Sequence, residues 1–212
     1  MKTLDLLLEK LYNKNNLTGE ELLYLLENLD QVHTEKLFEY ARKTRERYYE
    51  NKVYMRGLIE FSNICRMNCL YCGIRRDNKK VQRYRLSHQE ILECCREGYA
   101  LGYRTFVLQS GEDPWYTVER LTDIITDIKS MFPDVAVTLS AGERPEEEYR
   151  AFFEAGAERY LLRHETASRS LYESLHPGAS FDNRRNCLYT LKKIGYQVGA
   201  GFMVGLPGQT KE

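Results

Sequence analysis

The chain has 212 residues, with 31 Lys and Arg against 31 Asp and Glu. That balance supplies no global field to recruit nucleic acid or an anionic membrane surface. A chain of this length buries a substantial core without disulfide staples. Its six cysteines, three crowded into one short run and two adjacent, lack the even spacing of a secreted scaffold and point to a reducing cytoplasm.

The opening run places charges around a short apolar stretch with no small-residue cleavage site after it, so it does not read as a signal peptide. No run approaches the ~20 apolar residues of a membrane span. Leu4, Leu7, Leu8 and Leu11 share one face of a first helix, and Asn13 to Asn16 break it. Thr18 and Glu21 form a capping box ahead of Leu22 to Leu26, and a third helix is expected from Thr34 to about Tyr49. These short helices form a preamble, residues 1–50, that needs a packing partner.

From Val53 the hydrophobic period changes. Strands are expected at Val53 to Phe61, Thr105 to Gln109, Val135 to Leu139, Tyr160 to Leu162 and Val198 to Val204. Helices fall between them: one begins at the capping box Ser87 and Glu90, one spans Thr117 to Met131, one Pro145 to Ala155, and one Asp182 to Ile194. Gly102, Gly156 and Gly195 each follow a helix and precede a strand, the place of a left-handed cap. Alternation at this spacing implies an α/β fold with a parallel sheet and right-handed crossovers, either doubly wound or a barrel. An eight-stranded barrel takes roughly 250 residues. The five strands of 51–212 therefore read as the N-terminal part of a barrel, truncated at its C-terminal end.

Cys65, Cys69 and Cys72 follow the first strand directly, at the end of the strand where functional loops of parallel βα folds gather. Three thiolates leave a tetrahedral zinc site, or a four-iron cluster, one ligand short. An open corner favours catalysis over a structural staple; the competing reading is a zinc site completed by a distant ligand such as His88 or Cys94. Gly73 removes a side chain beside the site. Cys94 and Cys95 lie in a helix, where neighbours diverge by ~100°, and with Cys187 are expected to be buried packing residues. His33, His88 and His176 read as surface or capping residues. Alternation turns His164 away from the face shared by Arg163 and Glu165. Asp113 and Pro114 read as a turn before a helix. The basic run Arg75 to Lys80 reads as a solvated loop that could also dock an acidic electron donor. The sixteen tyrosines are too scattered for an RNA platform.

The C-x3-C-x2-C spacing, with Tyr71 before the last cysteine, resembles the radical S-adenosylmethionine (SAM) enzymes. The resemblance implies a TIM-like (βα) barrel in which three cysteines hold a 4Fe-4S cluster. SAM chelates the fourth iron, and an electron cleaves it to methionine and a 5'-deoxyadenosyl radical. Ser110-Gly111-Glu112 resembles the family's loop whose backbone receives the cofactor's amino group, and Gly199 to Gly208 resembles its fifth-strand segment. The runs Leu108 to Pro114, Arg159 to Ala167 and Gly199 to Thr210 are similar to HydE-type FeFe-hydrogenase maturases, in the subgroup with biotin synthase and methylornithine synthase. The resemblance runs from about residue 50 onward, after a similar helical preamble.

It assigns Glu165 and Arg184 to the methionine end of the cofactor, and Gly111, Glu112, Thr138, Ser140 and Met203 to its pocket. Tyr71 falls beside adenine, and Gln109, Arg159 and Arg163 face the substrate cavity. The implied reaction is hydrogenase maturation on a small-molecule or organometallic substrate, an iron-cysteine carbonyl-cyanide complex. The implied partners are a reductant such as flavodoxin or ferredoxin and other hydrogenase maturases, with neither nucleic acid nor membrane. Methylornithine synthase or a biotin-synthase-like enzyme is the alternative within the family, and a non-catalytic metal or electron-transfer module the alternative outside it.

Overall fold

A computed structural model describes residues 3–211; Met1 and Lys2 of the opening run, and Glu212, lie outside the described residues. Among those described, the residues of Met1–Tyr54 and Thr210–Glu212 form one compact unit and Met55–Gln209 another.

The first unit holds α1 (Thr3–Lys14), α2 (Gly19–Asn28) and α3 (Gln31–Tyr49). Leu7, Leu8 and Leu25 are its buried centre, packed round by Leu4, Leu11, Leu37 and Tyr40. Both halves of the Thr18 and Glu21 capping box are made. The third helix begins ahead of Thr34 because the Asp30 carboxylate caps it, accepting from the His33 amide. The same carboxylate lies 2.7 Å from His33 Nδ1. His33, expected as a surface or capping residue, sits in the capped first turn and is buried against an acid.

The second unit runs β1 (Gly57–Ser62), α4 (His88–Ala100), β2 (Thr105–Ser110), α5 (Val118–Met131), β3 (Ala136–Ser140), α6 (Glu146–Glu154), β4 (Arg159–Leu161), α7 (Arg169–Leu175), α8 (Phe181–Ile194) and β5 (Gln197–Gly199). The strands are all parallel and lie in the order β1-β2-β3-β4-β5. A doubly wound sheet reverses its order at a switch point. This one never reverses, so of the two architectures it is the barrel, present as an open arc.

Phe106, Leu108, Val137, Leu139 and Tyr160 alternate onto one face and share a core with Ile91, Cys95, Leu121, Ile125, Phe152 and Leu191 from the helices. The opposite face is not buried. Register aligns Leu58, Val107, Thr138, Arg159 and Gln197 across it in one row, and Glu60, Gln109 and Ser140 in the next. This is the face that lines the inside of a closed barrel.

Three local expectations change. The α7 helix was not anticipated; at seven residues it is too short to show a period, although Ser168 caps it. The last strand stops at Gly199, where Val204 was expected. Its pairing with the segment after β4 continues irregularly through Leu162 N to Gly199 O, Glu165 N to Gly201 O and Met203 N to Glu165 O. Glu165 has φ 64°, and this left-handed backbone breaks the ladder. Cys94 is exposed while Cys95 is buried, as divergence on a helix requires of adjacent residues.

Candidate functional site

The three cysteines sit on the loop that leaves the C-terminal end of β1. None is in a disulfide, and all three are half-buried. The loop is docked against β2's exit. Gly111 lies so close that a Cβ there would stand 2.4 Å from the Ile64 carbonyl oxygen and 2.6 Å from Cys65 Cβ. Cys65 Sγ accepts from the amides of Met67 and Glu112, each at 3.4 Å. The Arg66 amide donates to Glu112 O at 3.0 Å. The close approach that Gly111 permits is thus, in this structure, that of the cysteine loop. Gly73, by contrast, faces open space.

Burial raises the Cys65 thiol, with partial relief from the two amides. Burial also pushes Cys69 up to about 11, with Cys65 and Cys72 adding to the rise. Cys65 and Cys69 therefore resist ionising without a cation to receive them.

A relay of charged side chains ties the strand ends together. Glu112, nearly buried, accepts from Arg66 Nε at 3.1 Å and from the Glu143 amide at 3.0 Å. Glu143, after β3, receives Arg184 Nε from the first turn of α8 at 2.7 Å and also pairs with Asn183. Arg184 Nη1 donates to Arg163 O beyond β4 at 3.1 Å. Burial works against the Arg184 charge, but Glu143 beside it holds its pKa above the ordinary arginine value. From below, the hydroxyls of Tyr160 and Tyr149 donate to Gly142 O at 2.9 and 3.4 Å, fixing the turn that presents Glu143. Glu165 is buried, with Arg163 Nε 3.7 Å away. The strand has ended before these residues, so alternation no longer orients them; the His164 ring lies beside Phe202.

Tyr71 reaches α7. Its hydroxyl is 2.8 Å from His176 Nε2, and His176 Nδ1 is 2.7 Å from Tyr172 O. A carbonyl only accepts, so Nδ1 carries the hydrogen and Tyr71 donates to Nε2. Burial lowers the His176 pKa and keeps the ring neutral. His176 is therefore a buried partner of the cysteine loop and not a surface residue. The Leu70 amide also docks there, on Leu175 O at 2.9 Å. The Tyr172 hydroxyl is buried with no partner at hydrogen-bonding distance and lies within reach of Arg184.

Thr138, Ser140, Gln109 and Arg159 stand on the open face of the sheet, where Arg159 Nε donates to Gln197 at 3.0 Å. Arg163 is exposed at the rim, and Met203 lies on the segment that pairs with Glu165. His88 and Cys94 do not join the cysteines: His88 pairs with Asp127 at 2.9 Å. Among the described residues no three His, Cys, Asp or Glu side chains stand close enough to hold a single metal ion.

Sequence reasoning missed Glu143, His176 and Asp113. Asp113 does form the expected turn, accepting from Trp115 N. It is also a fully buried carboxylate gripping Arg85 at 2.7 and 2.9 Å and Ser62 Oγ at 2.6 Å. Only its place after a strand marked it.

A model of the family described as "Radical SAM superfamily" matches residues 59–212. Over 204 residues the chain is 53% identical to the FeFe hydrogenase maturase subunit HydE of Thermotoga maritima, covering 96% of this chain and 58% of that protein. It is 32% identical over 200 residues to 3-methylornithine synthase of Methanosarcina acetivorans, covering 93% and 57%. The solved structure of methylornithine synthase (PylB) is similar with a TM-score of 0.86 at 31% identity, covering 96% of this chain and 60% of that one. That of the FeFe-hydrogenase maturase HydG is similar with a TM-score of 0.86 at 27% identity, covering 97% and 47%. The chain thus spans less than two thirds of the length of each of these relatives. No helix among the described residues is long and apolar enough to cross a membrane.

Proposed function

The chain belongs to the radical SAM superfamily, and on that premise we propose that it is the catalytic part of a HydE-type maturase acting in assembly of the FeFe-hydrogenase active site. The observation that carries the reading is the trio of free, half-buried thiols on one loop at the C-terminal end of β1, in a chain 53% identical to a HydE.

The donor set fits the family's cofactors. Three free cysteines on one half-buried loop suit three corners of a 4Fe-4S cluster. The buried Tyr172 hydroxyl, within reach of Arg184, and the Glu165 carboxylate provide polar groups for a ligand beside them. Cys65, Cys69 and Cys72 would hold the cluster. Glu165 would receive the ammonium of SAM. Arg184, oriented by Glu143, would offer its remaining N–H donors to the SAM carboxylate. Gly111, Glu112, Thr138, Ser140 and Met203 would line the pocket, with Tyr71, steadied by His176, at the adenine. When bound, the reduced cluster supplies the electron that cleaves SAM to methionine and a 5'-deoxyadenosyl radical. Gln109, Arg159 and Arg163, on the open face or at its rim, would hold the substrate, an organometallic iron complex with anionic ligands that suits two guanidinium groups. Arg159 is kept extended across the sheet by Gln197. The reductant would be an acidic flavodoxin or ferredoxin, with other hydrogenase maturases taking the product onward, in the cytoplasm.

Anaerobic reconstitution with iron and sulfide tests the reading. The expected outcome is about four irons per chain and cleavage of SAM by dithionite to equimolar 5'-deoxyadenosine and methionine, both lost in Cys69→Ala. Uptake of one zinc with no cleavage refutes it. The 0.86 TM-score to methylornithine synthase supports a second reading, synthesis of methylornithine. Formation of methylornithine by the reconstituted protein would favour it over maturation.

A further inference from the structure

The cysteine loop runs from Asn63 to the start of α4 with little regular structure, so its backbone polar groups need partners from elsewhere. One side chain meets four of them. Arg83 Nη1 donates to Asn63 O at 2.5 Å and Ile74 O at 2.9 Å, and Nη2 donates to Arg75 O at 2.8 Å and Asn78 O at 3.1 Å. Asn63 lies two residues before Cys65, and Ile74 two after Cys72. A single nitrogen therefore closes the base of the loop that carries all three thiols.

Arg83 is itself held in place. The Asn63 side chain accepts from Tyr84 N and donates to Gln82 O, each at 2.8 Å, on either side of Arg83. Among the described residues no carboxylate lies at ion-pair distance from Arg83. Its charge is met by carbonyl dipoles alone.

We infer that Arg83 is a clamp that forms the cysteine loop before any metal arrives, a positioning residue that sets the thiols side by side. Closing a flexible loop costs entropy that a cofactor would otherwise have to supply at binding. A planar guanidinium spreads its four Nη hydrogens over four carbonyls, whereas an ammonium radiates three donors from one point and cannot span them. Arg83→Lys keeps the charge and loses the clamp. The link to cofactor loading rests on the cluster reading above; the clamp itself does not.

The test compares the chain with Arg83→Lys and Arg83→Gln, using Arg96→Lys on the exposed side of α4 as control. Hydrogen exchange in the metal-free protein is expected to quicken roughly tenfold across 65–78 in both Arg83 variants, the effect of losing hydrogen bonds of ordinary net strength, while α4 and α5 amides stay as in the parent. After anaerobic reconstitution, a chelator should strip iron from both variants roughly tenfold faster than from the parent, following the same loop opening. Loop exchange within about twofold of the parent in Arg83→Lys overturns the clamp. Should both variants fail to fold, arginine side-chain NMR of the parent decides: Arg83 Nη hydrogens that rotate slowly and exchange slowly support the clamp, and freely rotating ones overturn it. A parent that takes up no iron-sulfur cluster refutes the cofactor reading, while the exchange and NMR measurements still judge the clamp.

Discussion

Gly111→Ala isolates the contact between the cysteine loop and the exit of β2. Gly111 does not have a positive φ, so alanine meets no conformational barrier there. The cost is steric. The new methyl would stand 2.4 Å from the Ile64 carbonyl oxygen and 2.6 Å from Cys65 Cβ. The nearest atom is backbone, so no side-chain rotation relieves the clash and the two loops must part. Overpacking of this kind costs about 1 to 3 kcal/mol. Parting also strains the Arg66 amide's bond to Glu112 O and the Glu112 amide's bond to Cys65 Sγ, each worth about 1 kcal/mol. The sum is about 3 to 5 kcal/mol, partly offset if the loop shifts as a body. Gly73→Ala is the internal comparison, because it lies in the same loop with nothing within 4 Å of its Cβ. It should change stability by no more than about 1 kcal/mol, the size of the glycine backbone effect. Urea titration of the two metal-free variants measures both, and iron content after reconstitution should fall only in Gly111→Ala. Equal stabilities for the two variants would refute the reasoning.

Gly142→Ala combines two costs. The residue has φ 77°, and a Cβ would meet Glu112 Cγ at 2.1 Å, so about 1 to 3 kcal/mol of backbone strain is joined by expulsion of Glu112 from Arg66 and Glu143; thermal unfolding measures the loss. Tyr160→Phe removes the hydroxyl under Gly142 O and should cost about 1 kcal/mol in urea, with Tyr149 limiting the damage. At Asp113, burial raises the pKa and the bonds from Arg85, Ser62 and Trp115 N outweigh it, leaving the folded value lowered. The carboxylate therefore adds stability that is present above its unfolded pKa of about 3.9 and is lost as pH falls through the lowered folded value. The parent should exceed Asp113→Asn in melting temperature at pH 7, and the gap should narrow below about pH 4; a constant gap across that range would contradict the assignment.

What was legible in the sequence was periodic or covalently local. Capping boxes at Thr18 and Ser87 are each a matter of four consecutive residues, and both form. Strand alternation placed Thr138 and Ser140 on one face because a regular strand allows only two. The cysteines were legible because all three fall at a fixed spacing within one loop. Legibility failed where regular structure stopped. Alternation was carried past Leu161 onto His164 and Glu165, and to Val204 in the last strand, where the backbone had already left the sheet. His176 looked like an isolated histidine because its partner, Tyr71, is remote in sequence.

The relay from Arg66 through Glu112 and Glu143 to Arg184 explains why the middle of the site was least visible. Three members come from three different loops and Arg184 from the first turn of α8, and no two of them that touch are near in the chain. Their grouping follows only from the strand order, since parallel neighbours β1 to β4 deliver every exit loop to the same rim. That order also gives the relay its consequence. A displacement at Glu143 is felt at Arg184, which the proposed function places at the SAM carboxylate, and through Glu112 at the cysteine loop. The cysteine loop and Arg184, the two parts of the proposed cofactor site, are thus linked through Glu112 and Glu143. Glu143→Gln removes the carboxylate that orients Arg184 but keeps the amide on Glu112, so SAM affinity, measured by calorimetry on the reconstituted protein, should fall while iron content stays close to that of the parent.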